Sequence, residues 1–385
     1  MALKVANRGD VPMFLALETL REATALEADG KDVLHLEIGQ PFDGAPAAVL
    51  EKLAEQVCEK PIAYTEALGI RPLRERVAGL YAERYGVDVP VERIAITVGS
   101  STAFILSFLA AFEAGDRVAL ATPCYPAYRN ILLALGLVPV ELPCTAETQF
   151  QPTPEMLTKA HAENPVAGLI LASPANPTGG MLKPHEFEAL INWCDQNHVR
   201  LVSDEIYHGI TFGGVASSAL ETTKNAVVIN SFSKYFALSG WRLGWMIMPE
   251  DLAPAIEKLA QSFYISAPAM SQYAATEVFE HFDELDGRVA AYSANRRLLL
   301  ERLPKLGLDQ FVVPEGAFYF YLDVSRFTND SQAFCSAMLN EIGVAMTPGV
   351  DFDPDRGNRY VRLSFAGPES DMIAACDRLE GWLKR

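Results

Sequence analysis

Long apolar runs are missing from this 385-residue chain. No stretch approaches the roughly 20 consecutive apolar residues that a bilayer-spanning helix needs. The longest apolar patch near the start, Val11 to Leu17, is too short for the core of a secretory signal and runs into Glu18 and Arg21 on an amphipathic helix. Cysteine is scarce as well. Cys58, Cys124, Cys144, Cys194, Cys335 and Cys376 are scattered, with no close pair of the kind that builds a zinc site or a dithiol redox motif, and they read as reduced core thiols. Histidine is equally thin. No i, i+4 pair brackets a Glu, and His185, His198 and His208 fall beside different elements, so no metal centre is expected. Basic charge is in deficit, with 32 Lys and Arg against 49 Asp and Glu for a net charge of -17 and no local basic run. Such a chain repels polyphosphate surfaces, so nucleic acid is not expected as a partner, nor is a membrane. These absences favour a cytoplasmic location.

What remains is an ordered enzyme-like composition, 50% hydrophobic and 21% charged, in a chain long enough for one large domain and one smaller one. From about residue 92 strands and helices alternate. Strands are predicted at Ile94–Val98, Arg117–Ala121, Val138–Leu142, Leu169–Ala172, Arg200–Ser203, Ala226–Asn230 and Leu243–Met248. Helices are predicted near Ala103–Glu113, Ala127–Leu135 and Pro184–Asn197. Repeated βαβ of this kind predicts an α/β fold with a doubly wound, mostly parallel sheet of about seven strands. Only about a dozen residues separate the last two strands, barely enough for a crossover, so the last strand is expected to be parallel or reversed with reversal at least as favoured. Beyond Glu250 the order changes to α+β, with a long helix around Asp286–Leu306, a hairpin-like run Phe311–Asp323, helix Gln332–Ile342, strand Tyr360–Phe365 and helix Glu369–Leu383.

Five of the predicted strand tips carry chemistry, and ligands of open α/β sheets bind at such tips. The segment Ser231-Phe-Ser-Lys234 through Arg242 offers an amine nucleophile, two hydroxyls and a guanidinium within a dozen residues. Asp204 and Tyr207 follow the strand Arg200–Ser203: a carboxylate there can hold a protonated ring nitrogen, and a phenol can donate to a ring oxygen. Asn176 lies in the turn Ala175-Asn-Pro-Thr-Gly-Gly180. Gly99-Ser100-Ser101-Thr102 stands just before a helix, where backbone amides and hydroxyls can close on a phosphate. Tyr125 can lie flat on a planar heteroaromatic ring. Each feature has a plain structural alternative, a helix cap, a turn or core packing, but the five together offer one group for each part of pyridoxal phosphate.

The ordered set resembles a fold type I pyridoxal-phosphate enzyme of the class I/II aminotransferase family. The residues that carry the likeness run through the chain: Leu36-Glu-Ile-Gly39-Gln-Pro41, Ala63-Tyr64-Thr65 with Gly69 and Leu73-Arg74, the Asn176 loop, Asp204 with Tyr207, the Lys234 segment, and Arg359-Tyr-Val-Arg362-Leu-Ser. The resemblance implies that Lys234 joins pyridoxal 5'-phosphate covalently and that Asp204 binds its pyridine nitrogen. Asn176 and Tyr207 would bind the ring hydroxyl and Tyr125 would stack on the ring. Ser100, Ser101, Ser231, Ser233 and Arg242 would hold the phosphate, with Tyr64 reaching across from a neighbouring subunit of a homodimer. Arg362 would grip the substrate carboxylate, and Gly39 lies in the segment that closes over the substrate. The expected division is a large domain at 45–283 and a small α+β domain at 1–44 with 284–385.

The reaction implied is transfer of an amino group from an L-amino acid to a 2-oxo acid. A carbon-sulfur or β-lyase with the same cofactor contacts is one alternative. Ser239-Gly-Trp-Arg-Leu-Gly-Trp245, and Tyr125 where acyl-transferring relatives place His, look more like aminotransferases. A non-catalytic regulatory module is another; the segment before residue 30 is too short to hold a DNA-binding domain. Met13 and Phe14 stand at the expected lid and hint at an apolar substrate side chain, with packing of the first helix as the alternative. No Arg or Lys, Arg71 included, can be assigned from the sequence to a distal carboxylate.

Overall fold

The computed structural model describes residues 3–59 and 61–384; positions 1, 2, 60 and 385 of the expected division lie outside them. The alternation becomes a seven-stranded sheet with order β2-β8-β7-β6-β5-β3-β4. Its strands are β2 (Ile94–Thr97), β3 (Arg117–Thr122), β4 (Val138–Pro143), β5 (Gly168–Ala172), β6 (Arg200–Asp204), β7 (Val227–Ser231) and β8 (Gly244–Ile247), while β1 (Leu34–His35) lies elsewhere. Every residue of β2, β7 and β8 is buried, as a strand covered on both faces requires. β8 runs antiparallel to both neighbours, pairing Ser231 with Gly244 and Thr97 with Gly244 across its two edges. The short linker therefore reverses. β2 and β7, each opposed to β8, point the same way, so the tips of β2, β3, β5, β6 and β7 share one edge.

Helices cover the two faces. One hydrophobic cluster includes Phe104, Phe108, Tyr128, Leu132 and Ile256 and packs α4 (Gly99–Ala111), α5 (Pro126–Ala134) and α8 (Ala253–Phe263) on one side. The other cluster joins the opposite face to α3 (Arg71–Tyr85), α7 (Pro184–Gln196), α9 (Ala269–Glu277) and α10 (Phe282–Arg302), and continues into the terminal segments. Helix starts follow local chemistry. In α6 (Pro154–Glu163) the Thr153 hydroxyl accepts from Met156 N, and α7 starts at Pro184 with Glu186 accepting from Lys183 N. α4 begins at Gly99, earlier than its apolar run suggests. Ser100 and Ser101 thus lie inside its first turn, where backbone N–H groups have no partner within the helix.

The C-terminal segment forms β9 (Tyr319–Asp323), α11 (Ser331–Ile342), β10 (Val344–Ala345), β11 (Thr347–Pro348), β12 (Tyr360–Ser364) and α12 (Glu369–Leu383). β11, β12 and β9 make an antiparallel sheet, and β10 pairs in parallel with β1, drawing in the N-terminal α1 (Leu15–Ala28) and leaving α2 (Ala47–Glu59) against α9. The hairpin expected over Phe311–Asp323 does not form. Only Tyr319–Asp323 is a strand, and its partner is β12. The turn that would close the hairpin spends its backbone groups elsewhere: Glu315 N and Gly316 N donate to Gly179 O, and Ala317 N donates to Ile210 O. This ties the small antiparallel sheet to the loops at the cavity-facing edge of the large one. Among the described residues no helix is long and apolar enough to cross a membrane.

Candidate active site

A cavity of about 360 Å³ opens where the shared strand tips meet β12 and α1. Lys234, Asp204, Asn176, Tyr207 and Tyr125 line it, each just past or at the end of its strand. Gly39 and Arg362 come to it from the terminal segments, and Ser100, Ser101, Ser233 and Arg242 form one end. Two predicted residues do not line it. Ser231 is buried one step behind, its hydroxyl donating to Leu243 O and lying 2.9 Å from the Ser233 hydroxyl, so it shapes the Ser233 turn. Tyr64 is 81% exposed and far from enclosed in its own chain.

Asp204 is buried, and its two oxygens are held apart by different donors. Tyr128 donates its hydroxyl to Oδ2, and Ile206 N donates to Oδ1 at 3.0 Å. Burial nevertheless pushes its carboxyl up to about 6, with Tyr128, Ile206 and the charge of Lys234 pulling the other way. Such a group gains from a cation placed against it. Lys234 Nζ donates to Gly39 O. Burial brings its ammonium down to about 8, helped by the positive charges of Arg362 and Arg242 and opposed by Asp204. A proton can therefore leave this amine far more readily than an ordinary lysine.

Arg362, 4% exposed, sits between two rings, its guanidinium carbon 4.5 Å from the Tyr319 centroid and 4.8 Å from that of Phe352. Nη1 donates to Asn176 Oδ1 at 3.0 Å, and Nη2 donates to Glu37 O and, at 3.2 Å, to Thr347 Oγ1. Its Nε is buried with no partner among the described residues. A buried donor left open on a clamped fork is a cost unless a ligand oxygen meets it. Asn176 gives Arg362 its oxygen and so keeps amide hydrogens for another acceptor.

At the opposite end Arg242 is in the left-handed region (φ 52°) and donates from Nη1 to Ser239 O. Its guanidinium packs on Gly99, where φ is +70° and an added Cβ would stand 2.6 Å from Nη2. Only glycine suits that spot. The result is a cationic fork, the serine hydroxyls and the start of α4 around one point, a combination that suits a phosphate.

Sequence reasoning missed Tyr128, Tyr319, Phe352 and Asp351. Tyr319 lies 2.7 Å from Tyr207, hydroxyl to hydroxyl, and fills the space beside Gly39, where an added Cβ would stand 1.8 Å from its oxygen. Tyr125 meets Phe14 and Tyr128 in edge contacts with centroids 5.6 and 5.4 Å apart. Of the two lid residues, Phe14 lines the cavity whereas Met13 is exposed.

Residues 31–379 match the family model for aminotransferase class I and II. The valine–pyruvate aminotransferase of Mycobacterium tuberculosis is 47% identical over 387 residues, covering 100% of this chain and 99% of that protein. A (5-formylfuran-3-yl)methyl phosphate transaminase from Methanocaldococcus jannaschii is 33% identical, with 97% of each chain covered. Among solved structures, an aminotransferase from Mycobacterium tuberculosis superposes with a TM-score of 0.97 at 46% identity, covering 100% of both chains. The aspartate aminotransferase of Thermus thermophilus with maleate gives 0.92 at 30% identity, covering 99% of this chain and 100% of that one. The chain belongs to the class I and II aminotransferase family. It is an aminotransferase, moving an amino group from an amino acid to a 2-oxo acid. These relatives lend nothing to the lyase and regulatory readings.

Proposed function

We propose that pyridoxal 5'-phosphate serves this transfer at Lys234, and that the amino donors are apolar amino acids, with a monocarboxylic 2-oxo acid such as pyruvate as acceptor. The observation that carries the reading is the convergence of Lys234, Asp204 and Arg362 on one cavity. Their needs fit the group: a softened amine for the aldehyde, a desolvated carboxylate for the ring nitrogen, and an open guanidinium edge for the donor. When bound, the cofactor takes up the donor's amino group on its aldehyde carbon and withdraws into its ring the electrons left on the donor's α-carbon.

The residues of this chain then have separable tasks. Lys234, with its ammonium near 8, can take a proton from the donor's α-carbon and give one back on the same face. Asp204, fixed by Tyr128 and Ile206, keeps the ring nitrogen protonated. Asn176 and Tyr207 would donate to the ring hydroxyl, Tyr125 would cover the ring, and Ser100, Ser101, Ser233 and Arg242 would fix the phosphate end, with Ser231 shaping the Ser233 turn behind them. Arg362 aligns the donor carboxylate and so the bond that breaks. Gly39, whose carbonyl accepts from Lys234, leaves room for Tyr319 beside the donor.

The donor class rests on charge and lining. Among the described residues that line the cavity the basic ones are Lys234, Arg242 and Arg362, each already given a role, while Phe14, Leu17, Ile38 and Phe352 are apolar. A distal carboxylate would meet no cation of this chain. The similarity to a valine–pyruvate aminotransferase agrees with that choice. The same proposal includes the division into 45–283 and 1–44 with 284–385, with the cavity between them. It also includes a homodimer in which the exposed Tyr64 completes the neighbouring chain's phosphate end.

Borohydride reduction of cofactor-saturated enzyme followed by peptide mass mapping tests the attachment. A pyridoxyl adduct on Lys234, absent from Lys234→Ala together with all amino transfer, is expected; an adduct on another amine would refute it. A donor panel of valine, alanine and aspartate against pyruvate and 2-oxoglutarate tests the substrate class, and preference for aspartate would overturn that part alone.

A further inference from the structure

The roof of the cavity hangs from a residue at the other end of the chain. Helix α1 opens at Leu15 after Phe14, which supplies no side-chain cap. The helix nevertheless has one. Leu15 N donates to Asp351 Oδ1 at 3.0 Å and Ala16 N donates to Asp351 Oδ2 at 3.2 Å, across more than 330 positions of sequence. Asp351 is 6% exposed and lines the cavity, as do Phe14 and Leu17 beside the helix start. α1 itself buries only Ala16 and Ala23, a thin apolar grip for a helix of 14 residues, so its seat depends heavily on this polar contact.

Asp351 is itself firmly placed. Its neighbour Phe352 stacks on Arg362 and accepts from Cys124 N through its carbonyl at 3.1 Å. Two residues on, Asp353 accepts from Arg356 Nε at 2.8 Å, and Arg356 donates to Thr122 O at 2.7 Å and Cys144 O at 3.1 Å. Those carbonyls belong to the ends of β3 and to the turn after β4. The segment 351–356 is thus bolted to the large sheet, and α1 is bolted to the segment.

We propose that Asp351 is a specificity-determining positioning residue: it seats α1 over the cavity and so fixes the apolar wall of Phe14 and Leu17 against the donor's side chain, without touching the reacting atoms. The proposal rests on the reading that the donor binds in this cavity, and does not depend on which donor is preferred. Its consequence is selective. A donor whose side chain reaches the wall loses binding when the wall drifts, whereas alanine, ending short of it, does not.

Asp351→Ala and the near-isosteric Asp351→Asn, both as holoenzyme, are assayed with alanine and valine, and backbone exchange is followed by mass spectrometry. Loss of two charge-assisted hydrogen bonds predicts that kcat/KM for valine falls about tenfold through KM, with kcat and the alanine values within about threefold of wild type. Asp351→Asn, keeping one acceptor oxygen, should fall between. Exchange should quicken in peptides from α1 and not in those from α4. Equal losses for both donors, a fall in kcat at constant KM, or unchanged exchange in α1 would overturn the proposal. Should wild type prefer aspartate, the apolar-donor reading fails, while the alanine comparison and the exchange at α1 still decide the role of Asp351.

Discussion

The most demanding consequence concerns stability rather than rate. In the cofactor-free chain Asp204 is an expense, because burial raises its carboxyl from the ordinary 3.8 to about 6 despite the help of Tyr128 and Ile206. The folded protein therefore holds this proton where the unfolded chain has released it, over a window from about pH 4 to about pH 6. Stability falls as pH rises through that window and stays lower above it, by about 3 kcal/mol for this one group. Asp204→Asn keeps the shape and removes the ionisation. Cofactor-free Asp204→Asn is accordingly expected to gain about 1–3 kcal/mol over cofactor-free wild type at about pH 7.5, and most of that gain should vanish near pH 4.5. Urea unfolding followed by circular dichroism, at one protein concentration and both pH values, measures it through the midpoint and slope. A difference that does not change with pH, or a wild type that gains on the variant as pH rises, would refute the reasoning. The same substitution should abolish most turnover, so the residue would trade stability for chemistry.

Two further outcomes are expected. Arg362→Lys keeps the charge but cannot present a planar fork between Tyr319 and Phe352, so kcat/KM for amino donors should drop at least about 100-fold in steady-state kinetics, and a drop under about threefold would move the carboxylate site elsewhere. His35 is raised to about 9, chiefly by its hydrogen bond to Glu37 and then by the charge of Glu37 and by Glu27, against the pull of burial. Its stabilisation is complete below its ordinary 6.5 and is lost as pH rises through about 9, so His35→Gln should lower the melting temperature at about pH 6 and leave it nearly unchanged at about pH 10.

The sheet was legible because its inner strands are largely apolar runs ending in polar tips; the short linker before β8 left its direction open while favouring the reversal that the structure has. The residues at those tips were legible for the same reason. α3 was not: its buried face includes Arg74, whose guanidinium is satisfied by Gly69 O and Glu66, contacts that hydrophobic periodicity does not register. Nor was the start of α4, since Gly99 reads as a turn and serves as the first helical residue. Tyr128, Tyr319 and Asp351 escaped because their meaning lies in partners 76, 112 and more than 330 residues away. Phe311–Asp323 sets two apolar runs on either side of Pro314-Glu-Gly316 and so reads as a hairpin, but Gly179 and Ile210 claim the backbone groups its turn would need.

Because β8 runs backwards, the chain leaves the site at Ser231 and is back at Arg242 after a single excursion. Phe232 N donating to Leu243 O closes that excursion at its neck, and Leu238 N donating to Phe232 O braces it from inside. The amine proposed as nucleophile and the guanidinium proposed to hold the anion thus ride on one small self-bracing unit, with their separation set locally. Lengthening almost any other connection in the protein would leave that spacing alone, whereas one residue added between them would pull the two ends of the ligand's berth out of step.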